Sequence, residues 1–340
     1  MQFEELAKSF SKKELPESEV ELTGELPADA VAPYREQALS HIAQEMDLPG
    51  FRKGHVPQDI ALKKVGEIAA LEEAVELFVR DFYPELVTTL GVDAVGRPQI
   101  NITKLAPGNP VGLTIRATVY PQVTLPKNWS TVGDDIAGET PLPATDEEVN
   151  KTLEDVRQSR KKDEVVPELN DEFAKSIGAF ETLDALKEQI KKGITEEKAR
   201  AAKDKRRGQI IDSLLEKTIV AVPRLFIESE LDKMLAQMKD DVARFGMPFD
   251  DYLKRMNKTE EVIRNEFREQ AKKRAKLQLT LNKIAQGEKI EPEKEAVDHE
   301  MKHGLEHFPD ANPELLRVHI ESVLRNEKVL KLLESTDKKE

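Results

Sequence analysis

The run from His299 to His303 has the residue types and the spacing that zinc chemistry requires. Its residues, His-Glu-Met-Lys-His, match the H-E-x-x-H pattern, in which two imidazoles on one helical face hold zinc and the glutamate acts as a base. Lys302 stands at a position that is usually uncharged in such peptidases, and the flanking residues are those of a solvated helix. A zinc peptidase is therefore an alternative, but the sequence favours surface histidines, and no metal or cofactor is expected.

A second candidate is the basic loop Gly50-Phe51-Arg52-Lys53-Gly54-His55-Val56-Pro57, which lies between two predicted helices. Its glycines and proline favour a tight, projecting turn, and an aromatic ring beside a guanidinium is typical of an interface anchor. Residues 51–64 carry four basic side chains and one acidic one, a net charge of +3 in a chain of net charge −13. The alternative is a basic loop whose phenylalanine packs into the core. The predicted docking residues are Gly50, Phe51, Arg52, Lys53, Gly54 and Pro57.

A third candidate is a cluster of flexible apolar side chains. Four of the seven methionines lie between residues 234 and 256, with two phenylalanines among them. Thioethers suit a surface that accepts many apolar sequences, although packing between helices is an equally good interpretation. The predicted substrate-binding residues are Met234, Met238, Phe245, Met247, Phe249 and Met256.

Composition excludes several classes of protein. The absence of cysteine removes disulfides, thiolate nucleophiles and Cys-bearing zinc sites. The polar, acidic start is unlike a secretory signal, and no stretch approaches the roughly 20 apolar residues that span a bilayer, so we expect a cytoplasmic protein without a membrane partner. Because the net charge of −13 repels phosphate, any contact with RNA must be local.

The hydrophobic pattern divides the chain into three parts. Residues 1–120 mix helical and strand periods and predict a small α+β domain, residues 121–144 contain four prolines and predict an extended linker, and residues 145–340 are almost entirely helical. In the first part, the pattern predicts strands at Val20–Leu22 and Leu113–Val119, the second paired with 99–105, and helices over 31–46 and 68–86.

Local signals mark the helix ends of the third part. Long helices with narrow apolar stripes predict a helical domain with arm-like helices. The predicted ends are a capping box at Thr145 and Glu148, helix starts at Pro223, Thr259 and Asn312-Pro313, and helix stops at Gly246 and Gly287.

The docking loop carries a resemblance to a known family. Gly50, Phe51, Arg52, Gly54 and Pro57 fill every specified position of G-F-R-x-G-x-x-P, the signature of bacterial trigger factor, a ribosome-associated chaperone. Such a match arises by chance in on the order of one chain in ten thousand of this length. Residues 119–123 and 167–173 resemble the family's domain exit and the start of its C-terminal domain, so the resemblance covers most of the chain.

The resemblance implies a function. It implies an ATP-independent chaperone that docks near the ribosomal tunnel exit, on a ribosomal protein and rRNA, shields nascent polypeptides with its helical arms and forms a homodimer away from the ribosome. A chaperone or scaffold that works without ribosomes is the alternative.

One departure from the family concerns catalysis. Family members commonly carry a prolyl-isomerase domain of the FK506-binding type, about 90 residues long, before the C-terminal arms. The helix from Thr145 reaches Pro167 without room for such a module, so the chain is expected to lack this activity and not to be an enzyme.

Overall fold

The computed structural model describes residues 3–52, 54–161 and 166–335. The strands are β1 (Ser11–Leu15), β2 (Glu19–Leu26), β3 (Ala94–Lys104) and β4 (Val111–Val119). The helices of the first 120 residues are α1 (Phe3–Ala7), α2 (Ala28–Val31), α3 (Arg35–Glu45) and α4 (Gln58–Thr89). The later helices are α5 (Asp146–Ser159), α6 (Asp171–Ile177), α7 (Leu183–Lys217), α8 (Arg224–Arg244), α9 (Phe249–Met256), α10 (Glu260–Glu288), α11 (Lys294–His307) and α12 (Pro313–Glu334).

The strands form one antiparallel sheet in the order β1-β2-β4-β3. In β4, Leu113, Ile115 and Ala117 are buried and alternate with Thr114 and Arg116, because successive side chains of a strand point to opposite faces. One face therefore packs on the core and the other is polar. The predicted strand and its pairing with the segment around residue 100 are both confirmed.

Helix α4 supplies the aromatic centre of this core. Phe78 and Phe82 are fully buried with ring centroids 5.4 Å apart, and Phe3 of α1 meets both rings edge-on at 5.6 Å. Such edge-to-face pairs contribute about 0.5–1.5 kcal/mol beyond the area that they bury. The short N-terminal helix is thus held against the domain by its aromatic ring.

The two predicted helices of this part differ from the structure in their continuity. The first was expected to be one helix over 31–46, but a 3-10 turn at Ala32–Tyr34 separates α2 from α3. Pro33 in that turn has no amide hydrogen to donate to the helix ladder. The second helix begins ten residues earlier than predicted and is interrupted at Gly66, whose φ of 86° and ψ of 164° are not helical.

Contacts between residues divide the chain into two compact units. The first contains residues 1–123 and 220–276, and the second contains 124–219 and 277–340. The predicted order of an α+β part followed by a mostly helical part is confirmed. The predicted boundaries near 120 and 144 stay predictions. The first unit also includes residues 220–276, which the sequence pattern assigned to the helical domain.

In the first unit, α8 and the first half of α10 pack side by side and are joined to the sheet. Phe226 meets the Tyr120 ring edge-on, with centroids 6.0 Å apart. Leu225 lies so close to Gly96 that an added Cβ would be 2.6 Å from its Cδ2 atom. An apolar seam of Leu231, Met234 and Ala271 joins the two helices.

The second unit is organised around α7. Its Ile210 and Leu214 are buried against Ile284 of α10 and against Val329 and Leu333 of α12. A smaller cluster holds α5 and α6 against the start of α7 through Leu153, Phe173 and Leu186.

Most helix boundaries follow the predicted signals. The capping box at Thr145 and Glu148 is present, Gly246 follows α8 with a φ of 73°, and the Asn312 side chain caps α12. The predicted stop at Gly287 is wrong, since α10 continues to Glu288 and Lys289 takes the left-handed conformation. Glycine is tolerated inside a helix at a cost of about 1 kcal/mol, so its presence alone does not end one.

Candidate functional site

The predicted docking loop connects α3 to α4 through two tight turns. The Phe51 amide donates to the Leu48 carbonyl oxygen at 3.1 Å, and the His55 amide donates to the Arg52 carbonyl oxygen at 2.9 Å. Gly50 and Gly54, at the third position of each turn, have φ values of 92° and 82°. Glycine adopts such a positive φ at the third position of a turn without steric cost.

A small apolar cluster fixes the base of this loop. Val56 is buried with Ala43 of α3 and Ala61 of α4. The Pro57 carbonyl oxygen accepts from the amides of Ile60 and Ala61, both at 3.0 Å, and so begins the next helix. The loop therefore has a packed base below its two turns.

The tip of the loop faces solvent. Phe51 is 38% exposed and Arg52 is exposed, so the interpretation that Phe51 is sealed in the core is wrong. Within the described ranges, Arg52 has no ion-pair partner. Gly50 and Pro57 are exposed as well, whereas Lys53 lies outside the described residues.

A groove of about 580 Å³ lies between α8, α9 and α10 in the first unit. It contains four of the six predicted substrate-binding residues. Met234 is 7% exposed at its floor, and Phe245 is 88% exposed at its end. The predicted members of the lining are Met234, Met238, Phe245 and Met247, and the others include Val242, Tyr252 and Phe267.

The other two predicted residues lie outside this lining. Phe249 stacks on Tyr252 with ring centroids 6.2 Å apart and lies under the Lys239 ammonium, 5.2 Å from the ring centroid. Met256 is exposed at the end of α9. The sequence analysis did not identify Tyr252 of α9 or Phe267 of α10. Each is an aromatic residue in a charged stretch of helix, and this contrast is a signal that could have identified them.

Ion pairs hold together the helices that form this groove. Glu228 of α8 accepts from Arg264 at 2.7 Å and from Arg268 at 2.9 Å, both on α10, and Arg264 also donates to Asp232 at 2.6 Å. The hydrogen bond from Arg264 is the main reason that the pKa of Glu228 lies below its ordinary value. These partly shielded pairs fix the spacing of α8 and α10.

The histidines of the H-E-x-x-H run lie on the exposed side of α11. His299 is 76% exposed and has Nδ1 3.2 Å from Glu300 Oε1, and the rings of His303 and His307 have centroids 4.6 Å apart. Among the residues that the structure describes, no three His, Asp or Glu side chains are grouped as metal ligands. The structure therefore gives no support to the zinc-peptidase alternative.

Comparison with known proteins identifies the family. One family model, described as bacterial trigger factor protein, matches residues 8–156, and a second, described as its C-terminus, matches residues 182–335. The chain belongs to the trigger factor family. Trigger factors are ribosome-associated chaperones, and that is the function of this chain.

Individual relatives agree with this assignment. The trigger factor of Halothermothrix orenii is 26% identical over 381 positions, covering 86% of this chain and 88% of its own length. That of Shouchella clausii is 24% identical, covering 83% of this chain and 85% of its own length. A solved structure, from work on promiscuous substrate recognition in folding and assembly activities of the trigger factor chaperone, has a TM-score of 0.53 at 19% identity. It covers 96% of this chain and 100% of that one, and so shows a shared fold.

The alignment with the Halothermothrix orenii relative is longer than the part of this chain that it covers. It runs over 381 positions, although 86% of 340 residues, about 292, take part in it. About 89 positions of the alignment therefore have no residue here. The two family models leave only residues 157–181 unmatched between them.

In the part of the chain that the structure describes, no helix combines the length and the apolar character needed to cross a bilayer.

Proposed function

We propose that this trigger factor docks on the ribosome near the tunnel exit through the loop Gly50 to Pro57, and that it holds nascent chains in the groove between α8, α9 and α10. The observation that supports docking most strongly is the exposed Phe51 on a packed base, beside an Arg52 that has no ion-pair partner among the residues that the structure describes. Aromatic and arginine side chains are enriched among the residues that contribute most to binding at interfaces, so their adjacent exposure at a loop tip favours a docking role.

The loop residues have different roles in this proposal. Phe51 enters an apolar pocket of a ribosomal protein, Arg52 binds a carboxylate or phosphate in a bidentate manner, and Lys53 binds an rRNA phosphate as a point charge. Gly50 and Gly54 provide the turns that present them. An acidic body held beside a polyanion by one basic tip binds reversibly, and its affinity falls as the salt concentration rises.

The groove suits weak capture of many apolar segments. Its methionines adapt to different side chains, and Phe245 and Tyr252 offer rigid aromatic surface. Release requires no ATP in this scheme, because a client that buries its own apolar surface, at about 25 cal/mol per Å², no longer has surface to offer. Away from the ribosome, pairing of two copies would cover exposed apolar residues such as Phe245, and the cytoplasm is the compartment in which these contacts occur.

Prolyl isomerisation is not part of the proposed function. Against the Halothermothrix orenii relative, about 89 alignment positions in total have no residue in this chain, a number close to the size of the isomerase module. A refolding reaction limited by proline isomerisation tests this absence directly. Its rate should not change when the chain is added, and a catalysed rate would contradict the proposal.

Co-sedimentation with ribosomes tests the docking role. The variant with Phe51, Arg52 and Lys53 all changed to alanine should stay in the supernatant at salt concentrations where the parent pellets. A control variant, Lys12→Ala with Lys13→Ala, removes two exposed basic residues of β1 and should pellet like the parent. If the triple variant also pelleted like the parent, the loop would not be the docking site, and a chaperone that works without ribosomes would be favoured.

A further inference from the structure

Beyond the loop, two adjacent lysines near the start of α4 carry unneutralised positive charge. Lys63 and Lys64 are both exposed, and neither has an ion-pair partner within the described parts of the chain. Asp59 lies four residues before Lys63 on the same helix, the spacing that often gives a surface pair, yet no such pair forms. The two charges are therefore presented to solvent.

The interruption of α4 at Gly66 explains why the next acidic residue does not neutralise them. Glu67 follows Lys63 by four positions and Lys64 by three, the spacings at which a continuous helix would bring them together. Gly66 adopts φ 86° and ψ 164° instead, and Glu67 accepts two hydrogen bonds from the Arg35 guanidinium, at 2.8 and 2.9 Å. Nothing lies within 4 Å of a Cβ placed on Gly66, so its backbone conformation and not its size requires glycine.

The lysines share a packed support with the docking loop. Ala61, two residues before Lys63, is buried in the same cluster as Val56 of the loop. At a rise of 1.5 Å per residue, Lys63 lies about 8 Å along the axis from the start of α4 at Gln58. A partner that reaches the loop tip therefore comes within reach of both lysines.

We propose that Lys63 and Lys64 bind the phosphate backbone of ribosomal RNA, and that the Gly66 interruption keeps them free to do so. This inference rests on the proposed docking role of the loop. RNA is favoured over an acidic protein surface because exposed lysine–carboxylate pairs contribute about 0–1 kcal/mol, whereas a polyanion also releases condensed counterions when lysines neutralise its phosphates. Lysine, a compact and mobile point charge, suits phosphates whose positions a rigid fork would not match.

The dependence of ribosome affinity on salt tests this inference. For the full-length chain, the variant Lys63→Gln with Lys64→Gln should reduce the slope of log affinity against log salt concentration by about 1.5, since each RNA phosphate contact contributes about 0.7–0.9. The matched control, Lys12→Gln with Lys13→Gln on β1, removes the same charge from another pair of adjacent exposed lysines and should keep the parent slope. Equal slopes for the two variants would overturn the inference.

The same titration separates the inference from the docking proposal. Phe51→Ala should lower the affinity without changing the slope, because an apolar contact releases no counterions. If Phe51→Ala bound like the parent, the docking proposal itself would fail. If it bound weakly while Lys63→Gln with Lys64→Gln kept the parent slope, only the inference about the lysines would fail.

Two further measurements identify the partner and the role of Gly66. A photo-crosslinking amino acid in place of Lys63, with Lys64 kept, should crosslink to RNA on ribosomes, and crosslinks to protein alone would overturn the inference. Gly66→Ala favours a continuous helix in which Glu67 pairs with Lys63, so it should reduce the slope although no lysine is removed. An unchanged slope in a variant with parental circular dichroism would contradict the role of the interruption.

Discussion

The Cα atom of Gly133 lies against the backbone carbonyl of Leu333, so closely that an added Cβ would be 2.1 Å from the carbonyl oxygen. Arg206 of α7 fixes the same place by donating to the carbonyl oxygens of Gly133 at 2.9 Å, Ile136 at 2.9 Å and Glu334 at 3.1 Å. The segment around residues 133–136 and the end of α12, both in the second unit, are thus joined to α7 by backbone contacts that leave no space for a side chain at residue 133.

Gly133→Ala should destabilise the second unit by about 1–3 kcal/mol, the usual cost of overpacking, because a Cβ cannot fit without displacing the end of α12. Urea unfolding followed by circular dichroism measures this loss. The control Gly193→Ala lies inside α7 with nothing within 4 Å of its Cβ, and should instead stabilise the chain by about 0.5–1 kcal/mol. A Gly133→Ala variant as stable as the parent would show that the contact can relax.

Glu228 should make the stability of the first unit depend on pH. Its pKa is lowered, chiefly by the hydrogen bond from Arg264, from an ordinary value of 4.5. The pair's stabilisation is therefore complete above pH 4.5 and is lost as the pH falls through the lower, folded-state pKa. Glu228→Gln should lower the urea concentration at the midpoint of unfolding at pH 7. Between pH 7 and pH 3, the midpoint of this variant should fall less than that of the parent.

The matched control for this prediction is Glu269→Gln, an exposed change on α10 at a residue that has no ion pair within the described ranges. It should leave the free energy of unfolding within about 0.5 kcal/mol of the parent's at both pH values. If both variants showed the same pH dependence as the parent, Glu228 would not be the responsible group.

Gly50→Ala should weaken ribosome docking and leave global stability nearly unchanged. The φ of 92° at this position strains an L-residue by about 1–2 kcal/mol, and nothing lies within 4 Å of the added Cβ, so the loop can relax without a clash. Relaxation changes the direction of Phe51, which a ribosome-binding titration detects as a lower affinity. A variant with parental affinity would show that the turn does not set the geometry of the tip.

Phe245→Ser should reduce client capture without a cost in stability, because the side chain is 88% exposed at the end of the groove. The measurement is suppression of light scattering by an aggregating unfolded protein. Leu142→Ser, an equally simple change at a residue that is 75% exposed outside the groove, is the control. Equal suppression by the two variants would contradict a role for the groove.

Met234→Ala tests whether Met234, at the floor of the groove, stabilises the packing of the helices. The side chain is buried between Leu231 and Ala271, so its truncation leaves a cavity and should cost about 2–5 kcal/mol. Thermal unfolding at constant protein concentration measures this loss. Stability within 0.5 kcal/mol of the parent would show that Met234 belongs to the client surface alone.

Local signals in the sequence predicted the features that depend on nearby residues. The capping box at Thr145 and the turn glycines at 50 and 54 were predictable because their geometry is set within a few positions of the chain. The interruption of α4 was not predicted, because Gly66 is compatible with a helix and only the pairing of Glu67 with Arg35, 32 residues away, accompanies the break. The stop at Gly287 was wrong because the chain turns at Lys289 instead, where the Ile290 amide donates to the Ala285 carbonyl oxygen at 2.8 Å and Ile290 packs on the core of the second unit.

The sequence by itself determined the family, the α+β part, the helical part and the basic loop, because all of these depend on residue type and short-range spacing. Only the tertiary structure decided which predicted side chains share a groove, that Phe51 is exposed and that residues 220–276 belong with the N-terminal sheet. The physical reason is that burial and pairing depend on contacts between residues distant in the chain. Periodicity shows that a residue lies on an apolar face but not which surface covers that face.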